Sequence, residues 1–102
     1  MITRIVKLGF ASENTEKFES IFSRNKEKIK NFKGCHNVAL FKDSAKPNVY
    51  FTYSHWDNEE ALNLYRNSDF FKATWQNVKP LFNQKPEAWS LESIVKEKTQ
   101  NG

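Results

Sequence analysis

The chemistry available to this 102-residue chain rests on few side chains: two histidines, one cysteine and an arginine set among apolar residues. His55 lies in Val49-Tyr-Phe-Thr-Tyr-Ser-His-Trp56. Strand alternation places it on one face with Phe51 and Tyr53. An imidazole whose ordinary pKa lies near neutrality could take a proton there, and Tyr53 is the second candidate base. The competing reading is a histidine facing solvent at a strand end. Arg4 interrupts the apolar series Ile2, Val6, Leu8. It could donate hydrogen bonds to a phenolate or carbonyl oxygen, or pair with Glu87 or Glu92 on a neighbouring strand. His55, Tyr53 and Arg4 are the candidate catalytic residues. His36 has a weaker case, no acid falls at ligand spacing with either histidine, and no metal site is expected. Cys35 reads as a small buried hydrophobe. There is no Ser-His-Asp motif, P-loop or dinucleotide fingerprint.

Aromatic residues are the second signal. Nine Phe, three Trp and three Tyr are more rings than so short a chain can hide, so some are expected to line a pocket or a subunit interface. Phe22, Tyr65, Phe71 and Trp75 recur on apolar helix faces and are the candidate ligand-binding wall, able to stack on a flat molecule. The alternative places them in the core.

Positioning those residues requires the following elements. A strand is predicted over 2–10, with apolar residues on both faces. A helix over 15–32, capped by Asn14 or Thr15, buries Phe18, Ile21, Phe22, Ile29 and Phe32, and Lys33-Gly34 closes it. Strands over 35–43 and 49–56 flank a polar connection containing Pro47. Asp57 begins a short helix carrying Ala61, Leu64 and Tyr65 on one side. Ser68-Asp69 caps a helix over 69–82 that Pro80 ends or kinks. A last strand spans 87–95, and 96–102 is a polar tail expected to fray. The order β-α-β-β-α-α-β predicts a single α+β domain over 1–95, a ferredoxin-like antiparallel sheet with its first and third strands central. Helices would cover only one face. The other would expose rings from the third and last strands, and a two-fold homodimer packed sheet to sheet is the economical cover.

Composition narrows the partners. The net charge is +4, from 16 basic and 12 acidic residues. The basic run Arg24, Lys26, Lys28, Lys30 and Lys33 reads as cations at a helix C-terminus, and nucleic-acid binding is not expected. No apolar run is long enough to span a membrane, and the N-terminus lacks a signal-peptide pattern. A single cysteine excludes an internal disulfide and suits a reducing cytoplasm.

The stretch Trp56-Asp-Asn-Glu-Glu-Ala61-Leu62-Asn-Leu-Tyr65-Arg-Asn-Ser68-Asp-Phe-Phe71-Lys-Ala-Thr-Trp75 resembles the core signature of the antibiotic biosynthesis monooxygenase domains. That signature is a strand ending in Trp, an acidic helix start followed by Ala and an apolar residue, and Ser-x-x-Phe opening the next helix. The first strand and Ala88-Trp-Ser-Leu-Glu-Ser-Ile94 fit the same pattern. The resemblance implies a dimeric α+β barrel with a pocket between helices and sheet in each subunit. It also implies cofactor-independent oxidation of small planar phenols or quinols, with no flavin, haem or metal. A non-enzymatic, stress-associated binding domain whose pocket is filled by its own rings is the alternative. Haem degradation is not expected: Trp75 stands where haem-degrading relatives place the ligating His, Tyr65 where they place a Trp pressing on the haem, and Lys7 near their first-strand Asn. An indole cannot ligate iron.

Overall fold

Eight-residue strands with apolar side chains at alternate positions fold here into a four-stranded antiparallel sheet, seen in a computed structural model that describes residues 1–94. The strands are β1 (Ile2–Gly9), β2 (Cys35–Lys42), β3 (Val49–Trp56) and the shorter β4 (Glu87–Glu92). Their order is β2-β3-β1-β4, so the two most apolar strands are central, as expected. The helices are α1 (Thr15–Lys30), α2 (Glu59–Arg66) and α3 (Asp69–Val78), with single 3-10 turns at Ser12–Asn14 and Lys79–Leu81. This is the ferredoxin-like α+β architecture. The last residue assigned to the final strand, Val95, and the expected tail 96–102 lie outside the described residues.

Register fixes what each face carries. Ile2 opposes Trp56, Arg4 opposes Ser54, Val6 opposes Thr52 and Leu8 opposes Tyr50. On the other side of β1, Arg4 opposes Ser90 and Val6 opposes Ala88. This is the helix-covered face, because its end rows are the ones the helices bury. Leu8, Phe10 and Tyr50 pack against Phe18, Ile21, Val78 and Leu81 in one cluster. Ile2, Val38 and Trp56 pack against Ile29 and Leu62 in a second. The opposite face carries Ile5, Phe41, Phe51, Tyr53, Trp89 and Leu91, and among the described residues no helix lies over it. Phe41, Trp89 and Leu91 are 54%, 42% and 46% exposed.

The helix ends follow their local chemistry with two corrections. Ser68 accepts the Phe71 N–H at 3.1 Å, as its place before α3 predicts. At α2 the cap is Asn58 rather than Asp57: its Oδ1 accepts the Ala61 N–H at 2.8 Å. Asp57 instead pairs with His36. Asn14 occupies the N-cap position of α1, as expected, but its side chain makes no capping bond; its amide donates to the Leu81 carbonyl at 3.2 Å and ties the helix start to the turn after α3. Pro80 sits in that turn, where α3 has already ended. The buried leucine of α2 is Leu62, 2% exposed, while Leu64 is 66% exposed. The inner face of α2 thus runs through Ala61, Leu62 and Tyr65. Gly34 has φ 88°, and a Cβ there would fall 2.5 Å from the Ala61 Cβ, so the α1–β2 junction demands glycine twice over.

Candidate functional site

The two core clusters leave the middle of the helix-covered face unfilled. Across the sheet, one central row reads Ser90, Arg4, Ser54, Val38 and the next reads Ala88, Val6, Thr52, Leu40. Small and polar residues under half-buried helices cannot fill the space that Tyr50 and Trp56 fill at either end. A cavity of about 510 Å³ results, with Arg4, Val6, Thr52 and Ser54 as its floor. It reaches the start of β4 at Glu87 and Ala88, where the strand is exposed.

The roof is aromatic. Phe22 of α1, Tyr65 of α2, and Phe71 and Trp75 of α3 all border the cavity. Their mutual packing sets their planes. Tyr65 stacks on buried Trp56 at 4.9 Å and meets Phe71 edge-on at 5.1 Å. Phe71 and Trp75 lie 6.0 Å apart and nearly parallel, as residues four apart on one helix can. Burial, with Cys35 nearby as a lesser cause, pushes the Tyr65 hydroxyl well above the usual tyrosine value, so it stays a neutral hydroxyl at physiological pH. Burial likewise raises the Cys35 thiol, against a thiolate role for that residue.

Arg4 is the cation of the floor. Its Nη1 donates to Ser90 Oγ at 3.0 Å. The pairing with Glu87 or Glu92 is not formed; among the described residues no carboxylate lies within 4.0 Å of it. Register explains this. Ser90 is the residue opposite Arg4; Glu92 stands two residues further along, opposite Ile2, and Glu87, which borders the cavity, stands opposite Lys7. Burial, and then the like charge of Arg66, hold the Arg4 guanidinium below its ordinary value.

The structure thus gathers five of the seven expected site residues, Arg4, Phe22, Tyr65, Phe71 and Trp75, around one cavity. It separates the other two. His55 and Tyr53 alternate away from Ser54 onto the uncovered face, where the His55 ring bonds the Tyr53 hydroxyl and Tyr53 meets Phe41 edge-on at 6.2 Å. With its ring there, Tyr53 can reach the cavity only through its main chain. Sequence reasoning missed Arg66, which also borders the cavity. The signal was present: Arg66 follows Tyr65 and lies one helical turn past Leu62. Among the described residues no cluster of three potential metal ligands occurs, and no helix is long and apolar enough to cross a membrane.

A four-stranded ferredoxin-like sheet roofed by aromatic helices over an apolar cavity defines a class of small α+β domains. Within that class the family is specified by sequence. The profile of the antibiotic biosynthesis monooxygenase family matches residues 1–77, and the chain belongs to that family. Solved structures agree on the fold. A proposed antibiotic biosynthesis monooxygenase from Caulobacter crescentus, 23% identical, has a TM-score of 0.86 over 92% of this chain and 90% of its own. Another from Nitrosomonas europaea, 13% identical, has a TM-score of 0.85 over 93% and 100%. A conserved protein from Methanosarcina mazei, 18% identical, has a TM-score of 0.83 over 89% and 91%. At these identities the likeness establishes the fold. No curated protein matches the chain significantly.

Proposed function

We propose that this chain binds a small planar phenol or quinol in the cavity and oxidises it with dioxygen without a cofactor. The observation that carries this reading is the composition of the cavity: rings from all three helices in its roof, one guanidinium in its floor and about 510 Å³ between them. Ligand sites commonly hold about 300–1,000 Å³, so the space suits two or three fused rings. The same volume argues against a pocket filled by the chain's own side chains.

Arg4 supplies the chemistry. A cation beside a phenol favours its ionised form and lowers its pKa by about 1–3 units. The phenolate then forms on binding, and its proton leaves to water at the start of β4. An electron-rich phenolate passes one electron to dioxygen, giving an aryloxyl radical and superoxide, which recombine at a ring carbon to a peroxide anion; a proton taken back from water completes the hydroperoxide. The substrate is the reductant, so the protein need only orient it, hold the oxyanion and exclude water. His55 and Tyr53, across the sheet, have no part in this step within one chain.

Oxygen uptake with anthrones and naphthoquinols as substrates tests the reading. Uptake should require the chain and fall about 10²-fold in Arg4→Gln, the loss expected for one oxyanion donor. No uptake with any of these compounds would end the catalytic claim. The second reading, a non-enzymatic binding domain, is favoured by one observation: among the described residues no histidine borders the cavity. It predicts binding of the same rings without turnover.

The reading includes a homodimer built on the uncovered face. Its central row, Ala39, Tyr53, Ile5 and Trp89, is apolar or aromatic from edge to edge. Placed against a two-fold mate, this face would bury Phe41, Trp89 and Leu91 and give the Tyr53–His55 pair a packing role. A cytoplasmic location suits such a protein.

A further inference from the structure

Arg4 is not the only guanidinium at the cavity. Arg66, the last residue of α2, also borders it and stands exposed at its mouth. Its place at a helix C-terminus has an ordinary cause, since cations complement that end of the dipole. No such cause applies to Arg4, in the middle of β1. Two like charges facing one largely apolar cavity repel each other, and burial disfavours the charged form of the inner one. Natural structures usually relieve such a pair with a carboxylate. Among the described residues none lies within 4.0 Å of either guanidinium.

Both groups also have donors to spare. A guanidinium carries five N–H donors. Arg4 commits one to Ser90 Oγ. Arg66 makes a single long contact, Nη1 to Asn63 Oδ1 at 3.5 Å. Around them the other polar residues are Thr52, Ser54, Asn63, Asn67 and Thr74, with Glu87 at the rim, whose carboxylate pairs with neither guanidinium; the remaining walls are rings and aliphatic side chains. The cavity therefore offers more positive charge and more donors than one phenolic oxygen can use.

Resting on the reading of the cavity given above, we infer that the ligand is an aromatic hydroxy acid, in which Arg4 holds the ring oxygen and Arg66 takes a carboxylate beside it. The planar guanidinium fork matches the two oxygens of a carboxylate, and such charge-assisted pairs are about twice as strong as neutral hydrogen bonds. A phosphate ester fits less well, because it brings a second negative charge to a largely apolar wall. The ligand's carboxylate thus supplies the missing counter-charge, and Arg66 selects substrates by it.

Calorimetric titration of the full chain with three probes sharing one ring system decides the matter: 1-naphthol, 1-hydroxy-2-naphthoate and 1-naphthyl phosphate. The hydroxynaphthoate should bind at least about ten-fold tighter than naphthol at low salt. That ratio should collapse in Arg66→Gln, persist in Lys26→Gln, which removes an exposed cation away from the cavity, and shrink as salt rises. Naphthol binding as well as the acid, an advantage that survives Arg66→Gln, or tighter binding of the phosphate would each overturn the inference while leaving the cavity's preference for flat rings standing. Binding of none of the three would overturn both.

Discussion

At the scale of single residues, Arg4 and Gly34 show how register turns a residue type into a role. Arg4 opposes Ser90 rather than Glu87, so its charge is left for the cavity instead of being spent on a strand partner. Arg4→Gln should therefore weaken binding of phenolic rings by about ten-fold while leaving the melting temperature nearly unchanged, because no ion pair is lost with it. Fluorescence titration beside a thermal melt separates the two effects. At Gly34, φ of 88° and the 2.5 Å approach to Ala61 both oppose a side chain. Gly34→Ala should cost more than about 1 kcal/mol in urea unfolding. An unchanged midpoint would mean that α2 can shift away freely. Tyr50 illustrates a titration effect. Burial, and then its hydrogen bond to Glu19, push its hydroxyl up to about 12. An unfolded tyrosine ionises near pH 10. Above that pH the unfolded chain releases the proton first, so stability present below about pH 10 declines as pH rises toward 12. Tyr65, raised mainly by burial, adds to the same slope. Urea midpoints at about pH 9 and pH 11 should differ less in Tyr50→Phe than in the native chain.

At the scale of elements, rigidity is concentrated at the ends of the covered face. Phe10, fully buried, lies 4.4 Å from Phe18, 5.1 Å from Phe82 and 5.8 Å from Tyr50, and so joins β1, α1, β3 and the segment after α3. Phe10→Ala should destabilise by about 3–5 kcal/mol, a value denaturant unfolding can read directly. Trp75→Ala, in the cavity roof, should cost less, because part of its ring already faces open space. It should also weaken binding of flat ligands, which the Phe10 substitution should not do in the fraction that remains folded. A loss as large for Trp75 as for Phe10 would show that the roof is part of the core. Caps divide in the same way. Asn58 and Ser68 fix where α2 and α3 begin, and through them which side chains reach the cavity.

At the scale of the whole molecule, the uncovered face decides behaviour in solution. Its central row is apolar or aromatic and ends in exposed Trp89, with exposed Phe41 and Leu91 to either side. If two copies meet there, the species in sedimentation at micromolar concentration should have about twice the 12.0 kDa mass of one chain. Its melting temperature should also rise with protein concentration, since association is then part of folding. Trp89→Glu should shift the species toward one chain and lower the melting temperature. A well-folded single chain at micromolar concentration, with melting independent of concentration, would reject the dimer.

Much of this was legible in the sequence for a physical reason: periodicity records which side of an element is buried. The strands, the three helices, the central places of β1 and β3 and the aromatic roof all follow from local patterns and short-range capping. The inner face of α2 was read less well: Ala61 and Tyr65 pack inward as expected, but with Leu62 rather than Leu64 beside them. What periodicity cannot encode is which of two alternating faces the helices choose. Phe51, Tyr53 and His55 are as plausible an inner face as Thr52, Ser54 and Trp56, and only packing assigns the second set to the inside. That choice carries His55 away from the cavity and leaves Arg4 in it. The cavity itself is a tertiary outcome as well. It exists because Ser90, Ser54 and Ala88, distant in sequence, fall in adjacent rows where nothing large enough meets the helices above.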